Sequence, residues 1–129
     1  MMNDPVADML TRVRNASRAL LPEVAMPHSA MKESIAKILK REGYIAGFNV
    51  SGDVKKTLKL ELKYQGRQPV IEGLQRVSRP GLRRYVGSTE IPRVRNGMGT
   101  AVVSTSRGII SGQDARRQKV GGELVCYIW

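Results

Sequence analysis

The sequence predicts an α+β protein of two small lobes. The first is an N-terminal α-β-α-β-β lobe over residues 1–64, and the second a C-terminal lobe over residues 65–129, mostly antiparallel β with one short helix. Three observations carry this reading. Apolar residues recur at helical spacing twice before residue 42, they alternate strictly between Thr57 and Tyr64, and beyond Gln65-Gly66-Arg67-Gln68-Pro69 short apolar runs are separated by turns rich in glycine and proline. With 129 residues, of which 41% are hydrophobic, the chain can bury a core, so wholesale disorder is not expected.

Asn3, Asp4 and Pro5 read as a helix start, with a capping side chain followed by a residue suited to the first turn. Val6, Met9, Leu10, Val13, Ala16, Ser17 and Leu20 then share one arc, while Asp8, Thr11, Arg12, Arg14, Asn15 and Arg18 share the other, and Pro22 is expected to end the helix. Val24 to Met26 suits a short strand. Ser29 is suited to cap a second helix with Met31, Ile35, Ile38 and Leu39 inward and Lys32, Lys37, Lys40 and Arg41 outward, closed by Gly43. Tyr44 to Val50 reads as a strand, Ser51-Gly52-Asp53 as a turn, and Thr57 to Tyr64 as a strand with Leu58, Leu60 and Leu62 on one face. In the second half, Val70 to Val77, Leu82 to Val86, Ala101 to Ser106 and Glu123 to Trp129 read as strands. Ser111, with Asp114 three residues on, opens a short helix through Val120 that Gly121-Gly122 would end.

Lys and Arg number 22 against 11 Asp and Glu, a net charge of +11. Such a balance points to a polyanionic partner, with a merely basic surface as the alternative. The cations change kind along the chain. Residues 1–64 hold seven Lys and four Arg, whereas residues 65–129 hold ten Arg and Lys119 alone. Arginine presents a planar fork that fits phosphate and stacks on rings, although a coding bias would leave the same trace. The window from Arg76 to Arg107 concentrates the effect, with Arg76, Arg79, Arg83, Arg84, Arg93, Arg95 and Arg107 against Glu90. Several of these sit beside Gly or Pro, in turns that bring guanidinium groups and backbone N–H groups to a phosphate together; a solvated basic face is the plainer account.

Other chemistry is poorly provided for. One Cys makes no internal disulfide, and one His with one Cys makes no Cys/His zinc site, so neither a secreted disulfide scaffold nor a metal centre is expected. No cofactor and no small-molecule substrate are expected. No apolar run approaches a membrane span, and the acidic N-terminus lacks the apolar core of a targeting peptide, so a cytoplasmic protein with no membrane partner is expected. Gly47 and Gly52 have phosphate-loop spacing, but Asp53-Val54 follows where Lys and Ser/Thr are needed. His28 stands at a helix entrance and Cys126 within the apolar run Leu124 to Ile128, positions that suit a surface cap and a buried thiol better than catalysis. With no carboxylate pair evident, an enzyme is not expected.

The remaining motif is Ser104-Thr105-Ser106-Arg107-Gly108. Three hydroxyls at a strand end, followed by a cation and a turn-forming glycine, supply donors and acceptors for a ribose 2′-hydroxyl or for base edges in a shallow groove, the chemistry that separates RNA from DNA. Gly121-Gly122-Glu123 adds an acid that either orders a nearby Arg or accepts from a base. On the first helix Arg12, Arg14, Asn15 and Arg18 offer a second contact with a backbone, or simply a solvated face. A basic architectural DNA-binding protein is the competing reading, and a small nuclease a weaker one.

At these residues the chain resembles a known family. Asp4-Pro5-Val6-Ala7-Asp8-Met9-Leu10-Thr11-Arg12-Val13-Arg14-Asn15, Met26-Pro27-His28-Ser29, Arg41-Glu42-Gly43-Tyr44-Ile45, Ser78-Arg79-Pro80-Gly81-Leu82-Arg83, Ile91-Pro92-Arg93-Val94, Asn96-Gly97-Met98-Gly99, the Ser-Thr-Ser-Arg-Gly motif and Gly121-Gly122-Glu123 are similar, in order, to the bacterial small-subunit ribosomal protein S-eight family. The resemblance implies a two-lobed protein of the small ribosomal subunit that binds the central domain of 16S rRNA early in assembly and meets neighbouring ribosomal proteins. It implies contacts from Ser104, Thr105, Ser106 and Gly108, with Tyr85 and Glu123 nearby, on an irregular RNA helix. Asp4, Arg14 and Asn15 would touch a neighbouring RNA region, and some members repress translation of their own messenger. Arg79, Arg83 and Arg107 join this set from their place in the arginine window. Two departures stand out: Ala30, where many members carry a basic residue, and Ser111-Gly112-Gln113-Asp114, in which Gly112 is expected to weaken the first helical turn.

Overall fold

The structure, a computed structural model, describes residues 4–129, so Asn3 of the expected helix start lies outside the described residues. The architecture is α+β, with three helices and antiparallel sheets among the described residues. The fold divides into two compact units, Pro5–Glu72 and Gly73–Trp129 with Asp4.

In the unit Pro5–Glu72, helix α1 (Pro5–Arg18) buries Val6, Met9, Leu10, Val13, Ala16 and Ser17, the arc that the periodicity selects apart from the exposed Leu20. Pro22 does not end this helix. Winding stops after Arg18, where Leu20 takes the left-handed conformation at φ +57° before the proline is reached. The amides of Leu20 and Leu21 turn back onto the carbonyls of Ser17 and Ala16, at 3.1 and 3.0 Å, and close the helix end.

Strand β1 (Glu23–Pro27) leads to helix α2 (Ala30–Arg41), which Ser29 caps by accepting from the Lys32 amide at 3.2 Å, and Gly43 follows the helix at φ +83°. Lys32 corrects the expected outward face of α2, because it is only 5% exposed. Its aliphatic stem covers apolar surface while its ammonium donates to the Pro27 carbonyl at 2.9 Å. Strands β2 (Ile45–Ser51) and β3 (Thr57–Leu62) complete a sheet in the order β1-β3-β2. Leu58, Leu60 and Leu62 are buried, as their alternation requires, with Met26, Ile35 and Leu39 also in the core. The turn-rich stretch after residue 64 is itself structured: β4 (Tyr64–Gln65) and β5 (Gln68–Pro69) pair as a small ribbon.

In the unit Gly73–Trp129 with Asp4, the expected strand Val70 to Val77 shrinks to β6 (Leu74–Arg76), and Leu82 to Val86 shrinks to β7 (Tyr85–Val86). The lost residues fall beside Gly73 and in the Pro80-Gly81 turn, where regular pairing is interrupted. Strand β8 (Thr100–Thr105) continues through a tight turn into β9 (Gly108–Ser111), a strand that the sequence pattern does not announce. Helix α3 (Gly112–Gln118) is capped by Ser111, which accepts from the Asp114 amide at 3.1 Å. It ends at Lys119, in the left-handed conformation at φ +58°, before the glycine pair is reached. Strand β10 (Gly122–Ile128) pairs with β8 along one edge and with β7 and then β6 along the other.

Ile91, Ala101, Val103, Ala115 and Leu124 form the core between α3 and this sheet. Gly112 has a packing role here: a Cβ would stand 3.0 Å from Ile91 and 3.2 Å from Ala101, so the glycine lets the start of α3 settle closely on the sheet.

Leu60→Ala, in the central strand of the first sheet, is expected to destabilise the protein by about 2–5 kcal/mol through lost burial and an unfilled cavity. Chemical denaturation followed by circular dichroism measures this.

Candidate nucleic-acid interface

Register assembles the candidate site. Glu123 pairs with Tyr85 on one side and Ser104 on the other, and Ser104 pairs with Ile109, so Tyr85, Glu123, Ser104 and Ile109 form one row across four strands. Directly opposed residues point to the same face of a sheet, which places a ring, a carboxylate and a hydroxyl side by side. The adjoining row is Val86, Gly122, Thr105 and Gly108. Space requires the glycines at the start of β10: a Cβ on Gly122 would collide with the Ser104 carbonyl oxygen, and one on Gly121 with that of Val86.

Ser106 and Arg107 form the turn between paired Thr105 and Gly108, and Gly108 closes it at φ +104°. The three hydroxyls of the motif have different duties. Thr105 Oγ1 donates to the Gly108 carbonyl at 2.9 Å and accepts from the Arg107 amide at 3.0 Å, so it fastens the turn. The hydroxyls of Ser104 and Ser106 have no such internal hydrogen bond among the described residues, and Ser106 is exposed. Arg107 reaches Gln118 at 3.4 Å.

Arg83 Nη1 donates to Glu123 Oε2 at 3.0 Å, and this carboxylate, first by hydrogen bond and then by charge, raises the Arg83 pKa above its ordinary value. The ion pair orients the carboxylate and leaves its second oxygen able to accept. Arg79 and Leu82 exchange backbone hydrogen bonds across Pro80-Gly81, presenting Arg79 on an exposed turn. Ser78, which belongs to a matched segment but is not among the expected contact residues, braces this loop: its buried hydroxyl accepts from the Arg84 amide at 2.9 Å. A serine beside an Arg-Pro-Gly turn is the available signal.

The structure brings Ser104, Thr105, Ser106, Arg107, Gly108, Tyr85, Arg83, Arg79 and Glu123 into one unit. Asp4 belongs to that unit too, but its carboxylate is engaged by Arg76 Nε at 3.1 Å. Arg14 and Asn15 lie on α1, in the other unit. His28 is paired with Glu33 at 2.7 Å, and Cys126 is fully buried, with its thiol pushed up to about 12 by burial. Among the described residues no group of three or more His, Cys, Asp or Glu side chains is placed to hold a metal, and no helix is long and apolar enough to cross a membrane.

A family model described as Ribosomal protein S8 matches residues 4–129. The small ribosomal subunit protein uS8 of Neisseria meningitidis serogroup C is 58% identical over 127 residues, covering 98% of each chain. That of Mesoplasma florum is 54% identical over 129 residues, and that of Persephonella marina 52% over 136, each with full coverage of both chains.

Thr105→Val is expected to cost about 0.5–1.5 kcal/mol and to speed hydrogen exchange at the Arg107 amide, which loses its acceptor. Cys126 is expected to resist a thiol reagent in the native protein and to react once denaturant is added, as absorbance of the released chromophore would report.

Proposed function

The chain belongs to the ribosomal protein S8 family, and we propose that it is a constituent of the small ribosomal subunit that binds the central domain of 16S rRNA and supports subunit assembly. The observation that carries the reading is the row Tyr85, Glu123 and Ser104 beside the Ser106-Arg107 turn. It sets an exposed ring, an oriented carboxylate and two hydroxyls without internal partners within one end of a basic sheet. Arginines supply attraction through phosphates, while the hydroxyls and the carboxylate read 2′-hydroxyls and base edges of an irregular helix. Arg14 and Asn15 of α1 serve a second RNA region. The protein works in the cytoplasm within the subunit, beside other small-subunit proteins and without catalysis of its own. A messenger that presents the same RNA shape would occupy the same residues, which gives the repressor role implied by the resemblance.

Because Thr105 holds the turn, Ser104→Ala and Ser106→Ala are the cleaner tests of RNA choice. Each is expected to weaken binding to a central-domain rRNA fragment about three- to tenfold, a loss of one modest hydrogen bond, with the salt dependence unchanged. If about five phosphates are neutralised, log affinity falls against log salt with a slope of roughly −3.5 to −4.5. Equal affinity for a DNA duplex and the RNA fragment, in filter-binding titrations, would sink the proposal in favour of an architectural DNA-binding protein.

A further inference from the structure

Arg95 lies at the other end of the sheet from the Ser-Thr-Ser turn. Strand β8 runs from Thr100, paired with Ile128, to Thr105, paired with Gly122, so the two ends stand about 17 Å apart at the usual rise per residue. Beyond the Thr100 end the chain makes an unusual turn. Arg95 and Asn96 adopt φ +50° and +57°, and Gly97 follows at +92°. Two consecutive non-glycine residues in the left-handed region are costly, and persist only where the surroundings enforce them. Here the amides of Met98 and Gly99 donate to the carbonyls of Arg95 and Val94, at 3.1 and 2.9 Å, and close the turn.

The turn aims Arg95 at a ring. Its guanidinium carbon stands 4.7 Å from the centroid of the Trp129 ring. The ring is itself held against Gly73, where a Cβ would run into its edge, and the Gly73 and Trp129 backbones exchange hydrogen bonds at 2.9 and 3.0 Å. Arg95 is nevertheless exposed and forms no ion pair among the described residues. Arg93 is exposed two residues before it, and Arg116 of α3 donates to the Ile91 carbonyl at 3.3 Å, so two further arginines lie along this stretch of chain.

We propose that Arg95, stacked on Trp129 and presented by the left-handed turn, is a second RNA contact of this unit and binds a backbone phosphate through its guanidinium fork. The stack leaves the N–H edge of the guanidinium free while restricting its motion, so less freedom is lost when a phosphate is taken up. The inference rests on the proposed rRNA-binding function and adds to it a contact on a separate RNA segment.

Arg95→Gln, Arg95→Lys and the Ser106→Ala control are titrated with a central-domain rRNA fragment at several salt concentrations. Arg95→Gln is expected to weaken binding about tenfold and to make the salt slope shallower by about 0.7–0.9. Arg95→Lys is expected to retain the slope but recover only part of the affinity, because the fork and stack are lost. Wild-type affinity and slope in Arg95→Gln, with Ser106→Ala still weakened, would overturn this inference alone. Wild-type binding by both variants would overturn the functional reading beneath it. Normal RNA binding by Arg95→Gln with defective uptake of a neighbouring protein in subunit reconstitution would overturn it in favour of a protein carboxylate as the occupant.

Discussion

The start of β10 must pass within van der Waals reach of two other strands at once, and the candidate interface depends on that approach. Gly121 lies against the backbone of Val86 and Gly122 against that of Ser104, so neither position has room for a side chain. The close approach lets one strand hold Tyr85 on one side and Ser104 on the other in a single register. Without it the carboxylate, the ring and the hydroxyl would belong to separate loops. Main-chain hydrogen bonds fix the spacing, and the Arg83–Glu123 ion pair then sets the direction of the carboxylate.

Much of the first unit is legible in the sequence because its elements are regular. Helical periodicity places the buried face of α1, and alternation places Leu58, Leu60 and Leu62 inside β3. The exceptions have local causes that periodicity does not encode. Leu20 follows α1 in a conformation that leucine rarely adopts, and Lys32 is buried because its stem and its head satisfy different neighbours. In the second unit, strands of two or three residues are too short to show a pattern, and β9 is hidden because the turn before it reads as the end of a segment.

The site is legible in composition more than in arrangement. Arginine enrichment and the Ser-Thr-Ser motif mark the segments, but nothing in their spacing shows that Thr105 spends its hydroxyl on the turn while Ser104 and Ser106 keep theirs. Long-range pairing decides such matters, as it does for Asp4, whose partner Arg76 is 72 residues away. The family resemblance implies Ser104, Thr105, Ser106, Gly108, Tyr85 and Glu123, and the structure places these six in one unit and shows which of their hydroxyls the turn uses.

The order of the strands along the chain has a consequence for synthesis. Residues 5–72 contain every strand partner of their own sheet, so that unit is able to form while translation continues. The other unit is built differently, because β6, β7 and β8 all precede β10, the strand with which each of them pairs. Its sheet closes only after residues 122–128 have left the ribosome. A chain released early would carry the Ser-Thr-Ser segment without the strand that completes the row. The row of Tyr85, Glu123 and Ser104 is therefore completed only by the last strand of this sheet, and it exists only in a chain that has been made through β10.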